Sequence, residues 1–119
     1  MERIRFIQHN SKEILFLDFS QCKINEIPAI IEQSKAVIRV RPEHSLLTLT
    51  DVTDTRFDEK VSQQMKDFTA HNKPYVKAAA VVGITGLKKI LFGAAMAFSK
   101  RKLHAFDSIE EAKDWLVSN

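Results

Sequence analysis

Two stretches of the chain hold residue types that could do chemistry. Asp51-Val-Thr53-Asp54-Thr55 sets two carboxylates beside two hydroxyls. Gly83-Ile-Thr85-Gly86-Leu-Lys88-Lys89 places two glycines ahead of a helical pattern whose first turn carries two lysines. The amides of a helix N-terminus and nearby ammonium groups attract an anion. Lysines at the positive end of a helix dipole are unfavourable, so either solvent screens them or an anion visits. The same residue types also have plainer uses: Asp and Thr build turns and caps, and glycines supply backbone freedom at a strand-to-helix bend. Gly83-Ile-Thr-Gly86 matches neither the Walker loop nor the dinucleotide fingerprint.

The remaining reactive residues are scattered. His9, His44, His71 and His104 show no metal-ligand spacing, and Cys22 has no second thiol. The strand assignment below puts all four histidines towards the edge away from the Asp51 and Gly83 bends. No serine or cysteine nucleophile stands beside a base in the sequence. The reading is therefore a non-enzymatic chain with no cofactor and no metal. Cys22 reads as a packed thiol.

These residues need a scaffold, and 119 residues suit one domain spanning 1–119. Apolar residues at 45% and charged residues at 28% are ordinary for a globular chain. A net charge of +3, with one basic cluster at Lys100-Arg101-Lys102, is too weak a footprint for nucleic acid. That cluster suits the negative end of the helix before it. The longest apolar stretch, 90–98, is too short for a membrane span. With a single cysteine and no apolar leader at the start, the chain reads as cytoplasmic.

Alternation over Arg3–Gln8 predicts a half-buried strand, and Asn10-Ser11 a turn into a more apolar strand over Glu13–Phe19. Asn25 and Pro28 mark a helix start, with Ile27, Ile30, Ile31, Ser34, Val37 and Ile38 at helical spacing before Pro42. Ser45–Asp51 is a third strand. Asp58 is the predicted N-cap of a helix carrying Val61, Met65 and Phe68 and ending by Asn72 and Pro74. Tyr75–Val82 is a fourth strand, so rich in alanine that a helix must pack closely over it. A helix from about Gly86 to Ser99 and a short strand at Leu103–Phe106 follow. Ser108-Ile-Glu-Glu111 then forms a capping box for a last helix. The order β-β-α-β-α-β-α-β-α predicts an α/β fold with a mixed, mostly parallel sheet of about five strands. An antiparallel hairpin opens it, and four helices cover both faces.

This succession resembles the SpoIIAA-like fold of STAS domains and Sec14-like lipid-binding domains. The resemblance is carried by Glu13-Ile-Leu-Phe-Leu-Asp-Phe, Ser45-Leu-Leu-Thr-Leu-Thr-Asp-Val-Thr, His71-Asn-Lys-Pro-Tyr-Val-Lys-Ala-Ala-Ala-Val-Val-Gly, Thr85-Gly-Leu-Lys-Lys and Glu111-Ala-Lys-Asp-Trp-Leu. It points to a group of small uncharacterised bacterial STAS/Sec14-like proteins. It implies a regulatory or protein-interaction module, with a phosphorylatable residue in the loop after the third strand. The positions that match that loop are Asp51, Thr53, Asp54 and Thr55. The Asp-Ser-Ser/Thr-Gly signature itself is absent, as are the added helices that enclose a phospholipid.

The third helix carries Leu91, Phe92, Met96 and Phe98 and is apolar on more than one face. Such a helix must be buried or paired. One face covers the sheet, and the other predicts a neighbouring helix, a protein partner or homodimer, or a lipid or small apolar ligand. The leading expectation is a docking module switched at Thr53 or Thr55. The alternative is a binder of a lipid or small apolar ligand beneath the third helix, in a cavity lined by residues such as Phe92, Met96 and Phe98.

Overall fold

The computed structural model describes residues 2–86, 88–101 and 103–119 and, at Phe98, the backbone alone. Strand β1 (Ile4–His9) turns at Asn10 and Ser11, whose φ angles of 49° and 67° are both positive. Positive φ at both loop residues matches the right-handed twist of a two-residue hairpin, and asparagine tolerates it. The turn pairs His9 with Lys12 and so fixes the antiparallel register with β2 (Lys12–Asp18). Ile14, Leu15, Phe16 and Leu17 are all buried in β2, as a strand covered on both faces requires.

The chain then makes a short 3-10 turn at Ile24–Glu26, where Glu26 Oε1 accepts the Lys23 amide at 2.9 Å. Helix α1 (Ile27–Ile38) follows with Pro28 in its first turn, where the missing donor costs nothing. Strand β3 (Leu46–Asp51) leads to α2 (Glu59–Asn72), capped by Asp58, whose carboxylate accepts the Val61 amide at 2.7 Å. Strand β4 (Val76–Val82), α3 (Lys88–Ser99), β5 (His104–Phe106) and α4 (Ile109–Val117) complete the order. Ser108 caps α4 by accepting the Glu111 amide. The observed order is the one the sequence predicts.

The five strands lie in the order β1-β2-β3-β4-β5, with β1 antiparallel and the rest parallel. The helices divide unequally between the two faces. Leu15, Leu17, Ala79 and Val81 point towards α1 and α2, meeting Ile27, Ile31, Val61 and Phe68, with Phe92 of α3 at the margin. Ile14, Phe16, Leu47, Leu49, Ala78 and Ala80 face α4 alone, through Ala112 and Leu116.

This division corrects one expectation. The closely packed helix that the alanines of β4 predict is α4, over Ala78 and Ala80, and the expectation revised is that one face of α3 covers the sheet. Helix α3, which follows β4 in the chain, rests on α2 instead of lying down on the sheet. Space therefore remains between α3 and the strands. Among the described residues, no helix is long and apolar enough to cross a membrane.

Candidate functional site

Parallel pairing decides where the two reactive stretches go. Asp51 is in register with Val82, so the bend after β3 and the bend at Gly83 open on one edge of the sheet. Ligand sites of open α/β sheets gather at this carboxyl edge. There the buried Asp51 carboxylate accepts two bonds from Thr53 through a single oxygen, from its amide at 2.9 Å and its Oγ1 at 2.6 Å. Asp18, its register partner on β2, holds the Ser20 amide at 2.9 Å in the same way. Both carboxylates thus act first as turn builders.

Gly83 sits against this turn with φ +95°, and a Cβ there would lie 2.5 Å from the Thr53 amide nitrogen. Only glycine fits, on backbone angle and on space together. Gly86, at φ +56°, has open space around it.

Of the residues expected to form a phosphorylation switch, Thr53 is exposed and Thr55 is not. Thr55 is 3% exposed and donates its hydroxyl to the Phe19 carbonyl, tying the loops after β2 and β3 together. Its role is in the fold. Asp54 is exposed, at φ +55°, beside a shallow groove with Gln21, Ile24 and Arg56.

The anion cradle expected at the start of α3 is largely spoken for. The amides of Lys88 and Lys89 donate to the carbonyls of Thr85 and Gly86, each at 3.1 Å. Lys88 Nζ donates to the Val52 carbonyl at 2.7 Å and to the Gly83 carbonyl at 3.4 Å, so it ties the two strand ends together. Thr85 and Lys89 are exposed.

Beneath α3 lies a cavity of about 80 Å³. Leu91, Phe92 and Ala95 of α3 form its roof, and Leu17, Ala79 and Val81 its floor. Met65 and Phe68 of α2 close one side. Small side chains explain the gap: Thr48, Thr50 and Ala79 leave the sheet surface low where α3 passes above it. Of the apolar residues expected to line such a space, Phe92 does. Leu91 does so too. Met96 is half-buried but off the lining, and the Phe98 side chain lies outside the described residues. On the outer face of α3, Ile90 is 69% exposed, while Gly93 and Ala97 are small.

One residue of this cavity is not evident from the sequence. The sequence places Arg101 in a basic cluster suited to the negative end of α3. Instead Lys100 adopts φ +57°, the left-handed conformation usual just past a helix end, and the chain doubles back. Arg101 then borders the cavity, with Nη1 donating to the Thr69 carbonyl of α2 at 3.1 Å and its own amide bonded to Ser99 Oγ at 3.3 Å. Burial lowers its pKa from the usual guanidinium range to about 10, so it is still a cation at neutral pH. Lys102 lies outside the described residues.

The histidines are used elsewhere. His9 Nε2 meets Asp114 Oδ1 at 2.8 Å, His71 Nδ1 meets Asn72 Oδ1 at 2.9 Å, and His104 stacks on Trp115 at 4.3 Å. His104 is not at the far edge of the sheet: β5 pairs only with the second half of β4, which sets His104 level with Ala80. Among the described residues, no group of three or more His, Cys, Asp or Glu side chains is placed to hold a metal. Cys22 is buried, and desolvation raises its thiol pKa above 9.0. Compared with known proteins, the chain matches no family model, no curated protein and no solved structure.

Proposed function

We propose that this chain is a non-enzymatic binding module that holds a small apolar ligand between α3 and the sheet. The observation that carries the reading is the cavity itself, apolar on roof and floor and reaching the functional edge through Val52, Ile84 and Lys88. Protein interiors pack to crystal density, and voids of this size are few. Left unfilled by protein, a space of about 80 Å³ forgoes the dispersion energy of a close-packed interior. An occupant that restores those contacts recovers that energy, and this supplies an affinity. Because Lys88 lines the cavity and also grips Val52, an occupant that moves α3 also moves the loop that carries Thr53. Ligand state would then be displayed on the edge where a protein partner docks.

The proposal includes kinship with STAS regulators and Sec14-like lipid binders. The residues quoted above and the five-stranded mixed sheet support it. An NMR titration with 1-hexanol tests the ligand reading. Amide shifts concentrated at Leu91, Phe92, Ala79 and Val81 are expected. Their absence up to the solubility limit of the alcohol removes the proposal.

A second reading has its own observation. Thr53 is an exposed hydroxyl of the edge, held 2.6 Å from Asp51 Oδ1, and the carbonyl of Val52 before it receives Lys88. A phosphate on Thr53 would break the bond to Asp51 and repel its carboxylate, while gaining a nearby ammonium group. The edge would then act as a phosphorylation switch for a protein partner. Mass spectrometry of the protein from cells under varied growth conditions tests this, and Thr53 unmodified in every sample counts against it.

A further inference from the structure

The end of the cavity near the C-terminus of α3 holds a cation without an acid. Arg3, Lys35, Arg41 and Lys113 each have a carboxylate within 4 Å. Arg101 has none among the described residues, although it is half-buried and borders an apolar space. A charge withdrawn from water without a partner is costly, and among the described residues one carbonyl is what offsets it.

We infer that the ligand of this cavity is a small aliphatic monocarboxylate, its carboxylate received by Arg101 and its alkyl chain running beneath Phe92 over Ala79 and Val81. The inference rests on the reading of the cavity as a ligand site and adds the chemistry of the ligand's head. A guanidinium presents donors in a planar fork that matches a carboxylate. Nη1 is engaged with Thr69, which fixes the plane and leaves the other nitrogens for a ligand. The depressed pKa has the same origin: desolvation with no acid nearby.

Among the described residues Lys88 is the other cation of the lining, but it is a poor competitor. Its ammonium already serves two carbonyls. It also stands at the opposite end of α3, about 18 Å away along a 12-residue helix. With Lys88 held to those carbonyls, Arg101 is left to receive the headgroup, which favours a singly charged one. The volume limits the tail: about 80 Å³ is about half of an apolar cavity that takes benzene, so only part of a short chain is enclosed and the rest leaves through the open side.

The test compares hexanoate with 1-hexanol, which share a tail and differ in the head, by calorimetric or NMR titration at neutral pH. Wild-type protein should bind hexanoate about tenfold more tightly or better, the worth of hydrogen bonds to a charged group. Arg101→Gln should erase that preference while leaving hexanol binding in place. Arg101→Lys should keep part of it, and Lys88→Gln should keep all of it. Equal binding of the two probes by wild type overturns the inference and leaves the cavity reading standing, as does a preference that survives Arg101→Gln or vanishes in Lys88→Gln. The wild-type comparison needs no variant to fold. Binding of neither probe overturns the cavity reading and this inference with it.

Discussion

Replacing Gly83 by alanine should damage the functional edge through two separable effects. The first is conformational. Gly83 has φ +95°, and an L-residue on the positive side of φ costs about 1–2 kcal/mol. The second is steric. The new Cβ would stand 2.5 Å from the Thr53 amide nitrogen and 2.7 Å from its Cα, atoms of a backbone that cannot rotate aside. The turn must shift, and it loses the two bonds from Thr53 to Asp51, each worth about 1 kcal/mol net. Alanine returns about 0.4–1 kcal/mol by restricting the unfolded chain. The net loss is about 2–4 kcal/mol, or about 10 °C in Tm for a chain of this size.

Gly86→Ala is the internal control. Its φ is also positive, at +56°, but nothing lies within 4 Å of the added carbon. It carries strain without collision, and its cost should be at most about 1.5 kcal/mol. Urea unfolding of the three proteins measures both numbers. Equal losses at the two glycines, or a loss below about 1 kcal/mol at Gly83, would refute the placement of Gly83 against Thr53.

Four further outcomes follow from other contacts. Asp58→Ala should cost about 1 kcal/mol in urea unfolding, because the Val61 amide loses its acceptor at the start of α2. Ala95→Leu points a larger side chain into the cavity. It should block 1-hexanol binding while changing stability by less than about 1.5 kcal/mol, and undiminished binding in NMR would contradict the site. The buried Cys22 thiol has a raised pKa, so above pH 9.0 the unfolded chain is ionised where the folded one is still protonated. Unfolding then releases a proton, and stability falls as pH rises through that range. Cys22→Ala should flatten this fall in a pH series of urea midpoints. Lys100→Gly should stabilise by up to about 1 kcal/mol, since glycine accepts φ +57° without strain, and thermal melts would show it.

The features legible in the sequence were those set by neighbours along the chain. Asn10-Ser11 specified its hairpin through two positive φ angles, and Asp58 and Ser108 specified helix starts through single side-chain bonds. The shared edge of Asp51 and Gly83 was also legible, because helices between strands imply parallel pairing and hence a common carboxyl end. What escaped depends on packing between distant segments. The alanines of β4 signalled a close helix, but not that α4 would take that place while α3 leaned on α2. Thr55 looked like Thr53 in the sequence, and only the approach of the Phe19 carbonyl buries it. Arg101 read as a member of a basic cluster, because a left-handed residue at Lys100 carries no strong signature. The side chain that gives the cavity its charge was therefore the one that local patterning hid.

The central claim is that the space beneath α3 exists to be filled by a small ligand. Native mass spectrometry of the protein taken gently from the cells that make it addresses this most directly. A bound small molecule is expected that adds to the polypeptide mass, leaves on denaturation, and is missing from the Ala95→Leu variant. A polypeptide mass with no adduct, or an adduct retained in full by Ala95→Leu, would contradict it.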